Sequence, residues 1–161
     1  MIERTGKVFL VAAIAFFFSV VIFNNLTDYA TNFAYVQHVL SMDTIFPDST
    51  LKWRAITNPT MHHLAFAGII GWEIAIAILC WVGVVQMGLA LSLERELFQP
   101  AKRYALAGLI LGCLLWLVAF LAIAGEWFAM WQSPTWNGQP IASRMFVITG
   151  MVLLLVQQSD Q

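Results

Sequence analysis

Charge is scarce in this sequence: Lys and Arg number 8, Asp and Glu 9, and together they make up 11% of 161 residues, against about a quarter in a soluble globular domain. With 60% apolar residues, a chain this short cannot hide its apolar area inside its own fold, so lipid must cover the remainder. The formal net charge of −1 and the lack of any Lys/Arg cluster exclude nucleic acid as a partner. Cysteine is limited to Cys80 and Cys113. Both sit in apolar runs, where a free thiol behaves as a small buried hydrophobe, and they identify no redox compartment. No Gly-rich phosphate loop, nucleophile elbow, H-E-x-x-H motif or kinase-like set is present, so common soluble enzyme chemistries have no footing. Internal repeats and lipidation motifs are also missing.

What the chain has instead is long apolar runs. A helix needs about 20 mostly apolar residues to cross the hydrocarbon core, and the sequence predicts four such helices at about 8–26, 62–93, 101–126 and 140–157. The first follows Arg4 and Lys7 in the manner of a signal peptide, but its uncharged span from Val8 to Thr27 is longer than an h-region and no small-x-small site follows. It therefore reads as a retained helix. The fourth is short, with Arg144 near its start placed to snorkel. The expected fold is an all-α, integral membrane four-helix bundle forming a single transmembrane domain over 1–161.

Four crossings put both termini on one side. Arg4, Lys7, Arg95, Lys102 and Arg103 flank that side and Lys52, Arg54 and Arg144 the other, so the positive-inside bias makes the termini cytoplasmic. The cytoplasmic connection is then a short loop at 94–100, whose Pro100 suits a helix start. The outer face carries longer segments at 27–58 and 126–139. In the former, Tyr29, Phe33, Val36 and Leu40 recur at helical spacing, which predicts an interfacial amphipathic helix. Phe46-Pro47-Asp48-Ser49 breaks it ahead of a short helix carrying Trp53 and Arg54. Asn58-Pro59 supplies an N-cap and N1 proline for the second transmembrane helix. Gly108 and Gly112 on the third helix, and Ala67, Gly71 and Ala75 on the second, make small-residue faces that predict close approach of those two helices.

Among residues able to carry chemistry, Glu73 stands out. It lies ~14 Å along its helix from Leu64, where an ionised carboxylate costs at least ~2.5 kcal/mol unless it is paired, protonated or hydrated. It is either a proton-relay, ion-pathway or quinone-facing group, or a hydrogen-bonded tie between helices. His62 shares its face, but ~16 Å of rise separates the two, so His62 and His63 read as interfacial residues. Glu126 and Arg144, at the outer ends of the third and fourth helices, are expected to form a salt bridge, with Arg54 and His38 as competitors for the carboxylate. Trp53, Trp127, Trp131 and Trp136 read as an interfacial belt, with an aromatic pocket including Tyr29, Asn137 and Gln139 as the alternative. Asp28, His38, Asp43, His62 and His63 supply metal-ligand types without compact spacing, so no metal site is expected. A haem site lacks histidines on facing helices.

Several runs carry a family resemblance: Asn25-Leu26-Thr27-Asp28-Tyr29-Ala30-Thr31-Asn32-Phe33, His38-Val39-Leu40-Ser41-Met42-Asp43, Trp53-Arg54-Ala55-Ile56, Gly125-Glu126-Trp127-Phe128, Met130-Trp131-Gln132-Ser133 and Trp136-Asn137-Gly138-Gln139. Over essentially its whole length the chain resembles an uncharacterised bacterial family of predicted small integral membrane proteins, a domain of unknown function. The resemblance implies a four-helix protein of the bacterial inner membrane and no activity, cofactor or catalytic residue.

Three functions compete. The favoured one is a non-enzymatic accessory or lipid-binding protein whose outer face carries recognition, with membrane lipids and a larger membrane complex or a homo-oligomer as partners. It is expected to hold a bound lipid and no cofactor; a stoichiometric partner on mild extraction is its signature. The second is a proton, ion or small-solute transport component with Glu73 in the path and His62, Asp28 or Glu126 at its mouth, for which the chain shows neither repeats nor broken helices. The third is a quinone- or metal-linked subunit of a redox complex, which visible absorption and metal analysis would probe. On the favoured reading, Glu73, Glu126, Arg144, Arg54, His62, Asp28 and Asp43 serve structure or recognition before chemistry.

Overall fold

The computed structural model describes residues 1–159, which form an all-α bundle. Four helical spans are long and apolar enough to cross a membrane: Ile2–Thr27, Pro59–Leu89, Arg95–Trp127 and Gln139–Gln157. The elements are α1 (Ile2–Thr27), α2 (Tyr29–Ser41), α3 (Pro59–Leu89), α4 (Arg95–Ala101), α5 (Arg103–Leu114), a π-helical segment continuing α5 over Leu115–Trp127, and α6 (Gln139–Gln157). Large apolar side chains remain bare around the bundle, among them Phe16 at 63%, Ile78 at 57% and Leu154 at 64% exposure. In water such a belt would aggregate; in lipid it is the expected outer surface.

Several boundaries differ from those read in the sequence. Helix α1 begins at Ile2 rather than near Val8. The polar first turns do not fray, because Lys7 is buried: its ammonium pairs with Glu3 at 2.9 Å and donates to the Gln158 carbonyl at 2.9 Å. The expected loop at 94–100 is the short helix α4, with Pro100 inside it, and α3 stops at Leu89 rather than reaching 93. Arg4 closes this end of the bundle, donating to the carbonyls of Leu91 (3.3 Å) and Leu93 (2.7 Å) while lying over the Phe98 ring. Lys102 also reaches the Gln158 carbonyl, at 2.9 Å. Both described ends of the chain thus share one end of the bundle, opposite α2.

At the other end, Asn58 caps α3 by accepting from the Thr60 N–H at 2.9 Å, with Pro59 at N1. Such a cap stabilises a helix by ~0.5–2 kcal/mol. The expected amphipathic helix is α2, ended by Met42 in the left-handed conformation at φ 52°; the short turn carrying Trp53 and Arg54 is a 3₁₀ turn at Lys52–Arg54.

Without a hydrophobic drive between helices in lipid, close packing of small residues sets the contacts. Gly83 of α3 meets Ala105 of α5, and Gly108 of α5 meets Ile76 and Cys80 of α3. The approach of these two helices is as expected, but the face on α3 is not: Ala67 and Gly71 are exposed, and nothing lies within 4 Å of where a Gly71 side chain would begin. Helical phase explains the shift, since Ile76, Cys80 and Gly83 form a different stripe from Ala67, Gly71 and Ala75. Gly112 looks elsewhere, toward Thr149 of α6 and Phe18 of α1.

Candidate functional site

Toward the end opposite the termini the bundle is not filled. A partly open cavity of about 230 Å³ is lined by α1 (Val21, Asn25), α2 (Asn32, Tyr35, Val36), α3 (Phe66, Ile69, Glu73), the π-helical segment (Trp116, Phe120), Gly138 and α6 (Ile141, Ala142). A second chamber of about 170 Å³ adjoins it between α2, α3 and the π-helical segment, sharing the walls Tyr35, Val36, Ile69 and Phe120 and otherwise lined by side chains such as Val39, Ile123 and Phe128. The two chambers have the character of a small-molecule site, which is typically apolar with a few placed polar groups and ~300–1,000 Å³ in volume.

Local sequence explains the space. The π-helical segment has wider turns than an α-helix, closed here by Phe128 N–H donating to the Ile123 carbonyl five residues back at 3.0 Å; such segments occur often at functional sites. Trp116 and Phe120 both lie in it and pack ring to ring, centroids 5.1 Å apart. At the outer rim, Tyr35 donates to the Met130 sulfur at 2.7 Å. Gly138 lets the Tyr35 hydroxyl lie against the backbone, since a Cβ there would push that side-chain tip aside. Burial pushes the Tyr35 phenol up to about 12, against a smaller opposing contribution from the Gly138 backbone, so the ring keeps its proton and remains a donor across the physiological range.

The polar end of the cavity is Glu73 with Asn25. Asn25 Nδ2 donates to Glu73 Oε2 at 2.8 Å, and the two residues are only 8% and 3% exposed. Glu73 Oε1 and Asn25 Oδ1 have no protein donor, yet neither is among the atoms sealed from a water-sized probe. Both residues line the cavity, so these two acceptors border it. Trp116 adds an indole N–H that is sealed and without a partner. Beyond Glu73, toward the termini, Val11, Ile14, Phe18, Ile76, Cys80, Met87 and Leu109 are all buried in one packed cluster. The cavity ends blindly there.

The other residues singled out in the sequence are dispersed. The expected Glu126–Arg144 salt bridge does not form; among the described residues Glu126 Oε1 instead accepts from Gln139 Nε2 at 3.1 Å, since Gln139 starts α6 directly beside Gly125. Arg54 does not compete for that carboxylate either. Its guanidinium lies over the Trp127 ring at 4.6 Å and donates to the Trp127 carbonyl at 3.2 Å. His38 Nδ1 meets Asp43 Oδ2 at 2.7 Å, and its ring stacks on Trp136. His62 is not interfacial: it is 2% exposed and its Nε2 lies 2.6 Å from the Ile56 carbonyl, tying the 42–58 segment to α3. His63 is the exposed member, stacked on Phe33 at 4.1 Å and hydrogen-bonded to Tyr29 at 2.8 Å. Asp28 joins α1 to α2 with an exposed side chain. No group of three or more His, Cys, Asp or Glu side chains gathers among the described residues. The tryptophans split into separate pairs, Trp53 with Trp127 and Trp131 with Phe46, rather than lining one aromatic pocket.

Sequence reasoning found Glu73 and missed its companions. Asn25 was visible as an amide inside an otherwise apolar helix; Trp116, Phe120 and Ile69 gave no signal, because apolar residues facing a cavity read like those facing lipid. No curated protein and no solved structure matches the chain. The model of the family described as "Predicted small integral membrane protein (DUF2165)" matches residues 3–159, essentially the whole bundle and every wall of the cavity, and the chain belongs to that family.

Proposed function

We propose that this protein is a lipid-binding accessory protein of the bacterial inner membrane that holds one amphiphile from the outer leaflet in the cavity between α2 and the bundle. The observation that carries this reading is the pairing of an apolar double chamber with two unsatisfied acceptors, Glu73 Oε1 and Asn25 Oδ1, at its blind end. Both acceptors are open to the cavity and lack a protein donor, so a ligand head that donates hydrogen bonds would take the place of water there. The apolar chamber would receive the chain of the same molecule. The packed cluster beyond Glu73 favours a binding pocket over a transport path, because a permeant proton or ion needs a continuation on the other side.

The orientation follows from charge. Five basic residues, Arg4, Lys7, Arg95, Lys102 and Arg103, lie at the end bearing the termini and three, Lys52, Arg54 and Arg144, at the other, so the cavity end would face outward. Reporter fusions at both termini are expected to be active only in the cytoplasm; activity of either in the periplasm would overturn this placement.

Ligand retention tests the function. Native mass spectrometry of the full chain released from mild detergent is expected to show one retained amphiphile per chain, displaced when Ile69→Trp fills the shared wall of the chambers. A bare chain from every detergent and lipid background would defeat the reading.

A further inference from the structure

The walls of the cavity restrict what its ligand is. Of the described residues that line the two chambers, Glu73 alone has an ionisable carboxyl, and no Lys, Arg or His is among them. The deep end offers the acceptors Glu73 Oε1 and Asn25 Oδ1 to the void, whereas most of the nearby donors are committed or sealed. Asn25 Nδ2 gives one of its two N–H groups to Glu73, the Tyr35 hydroxyl donates to Met130, and Asn32 Nδ2 uses both of its N–H groups on the carbonyls of Asn24 and Asp28. The Trp116 N–H is shut off from the void.

We infer that the ligand is an amphiphile whose head donates hydrogen bonds and is neutral or cationic, a long-chain alcohol or primary amine, and that anionic heads such as carboxylates and phosphates are rejected. This rests on the reading of the cavity as a binding site. An ammonium head can donate to both acceptors, and its charge favours the carboxylate form of Glu73, which balances it. A hydroxyl satisfies one acceptor at a time without charge. An anionic head would give up its hydration in largely apolar surroundings that hold no Lys, Arg or His to balance its charge. The basic residues of the outer end, Lys52, Arg54 and Arg144, are not among the lining residues, and Arg54 is held against Trp127. Discrimination thus arises from what the pocket omits as much as from what it offers.

The test uses the full chain in nanodiscs with four ten-carbon probes, decylamine, decanol, decanoate and decyl phosphate, titrated by native mass spectrometry. Decylamine and decanol are expected to form one-to-one adducts at least ~10-fold more tightly than decanoate or decyl phosphate, a difference of ~1.4 kcal/mol. In Glu73→Gln the preference for the amine over the alcohol is expected to vanish while the alcohol still binds. Ile69→Trp, which leaves the polar end intact, is expected to weaken amine and alcohol alike. Decanoate or decyl phosphate binding as tightly as decylamine to the wild-type protein overturns the inference while sparing the cavity as a binding site. Absence of adducts with all four probes removes the binding site itself.

Discussion

Gly83→Ala is expected to destabilise the bundle by ~1–3 kcal/mol or more, the range for overpacking a filled interior, while Gly71→Ala on the same helix changes stability little. A Cβ at position 83 would sit 2.5 Å from the Ala105 backbone nitrogen and 2.7 Å from its Cα. Neither is the end of a flexible side chain, so α3 and α5 must separate, and the contacts along Ile76, Cys80, Gly108 and Leu109 loosen with them. Gly71 meets nothing within 4 Å, and alanine has the better helix propensity by ~1 kcal/mol. Thermal unfolding of both variants in one detergent separates the cases. Equal midpoints for Gly83→Ala and the wild type would mean that α3 and α5 do not cross at this point.

The second large effect concerns Asn25. Asn25→Leu removes the one side-chain donor on Glu73 and leaves a buried carboxyl against apolar neighbours, a loss of ~1–3 kcal/mol. Glu73→Gln is expected to cost much less, because a glutamine carbonyl still accepts from Asn25 Nδ2. The double variant Asn25→Leu/Glu73→Leu should recover part of the loss, since no polar group is then left unsatisfied. A double-mutant cycle on stability in detergent is expected to give a coupling of ~0.5–3 kcal/mol. Strict additivity would show that the two side chains do not meet, and it would take the polar end of the cavity with it.

These two results probe different layers of the molecule. The crossing at Gly83 concerns how the helices pack, and the Asn25–Glu73 pair how the packed helices dispose of a polar group. Glu73 illustrates the limit of reading a chain residue by residue: its cost in lipid is plain from α3 alone, but its partner comes from α1, 48 positions away in the chain. Likewise the sequence placed Glu126 opposite Arg144, whereas the start of α6 brings the Gln139 amide to that carboxylate first. His62 and His63 are adjacent in the chain and differ wholly in setting, one buried against Ile56 and the other stacked in the open on Phe33.

Lipid as the surrounding solvent, four helices of membrane-spanning length, the amphipathic α2 and the capped start of α3 are all legible along the chain. Each depends on run length, periodicity or a neighbouring residue, and those are local quantities. Packing in three dimensions sets which stripe of α3 meets α5, where the basic ends are anchored, and that α2, the π-helical turns and the Asn25–Glu73 pair line a cavity. An apolar helix in lipid shows the same residues to its neighbours, to a void and to the bilayer, so composition cannot say which face is which; that is settled when the helices choose their crossing points.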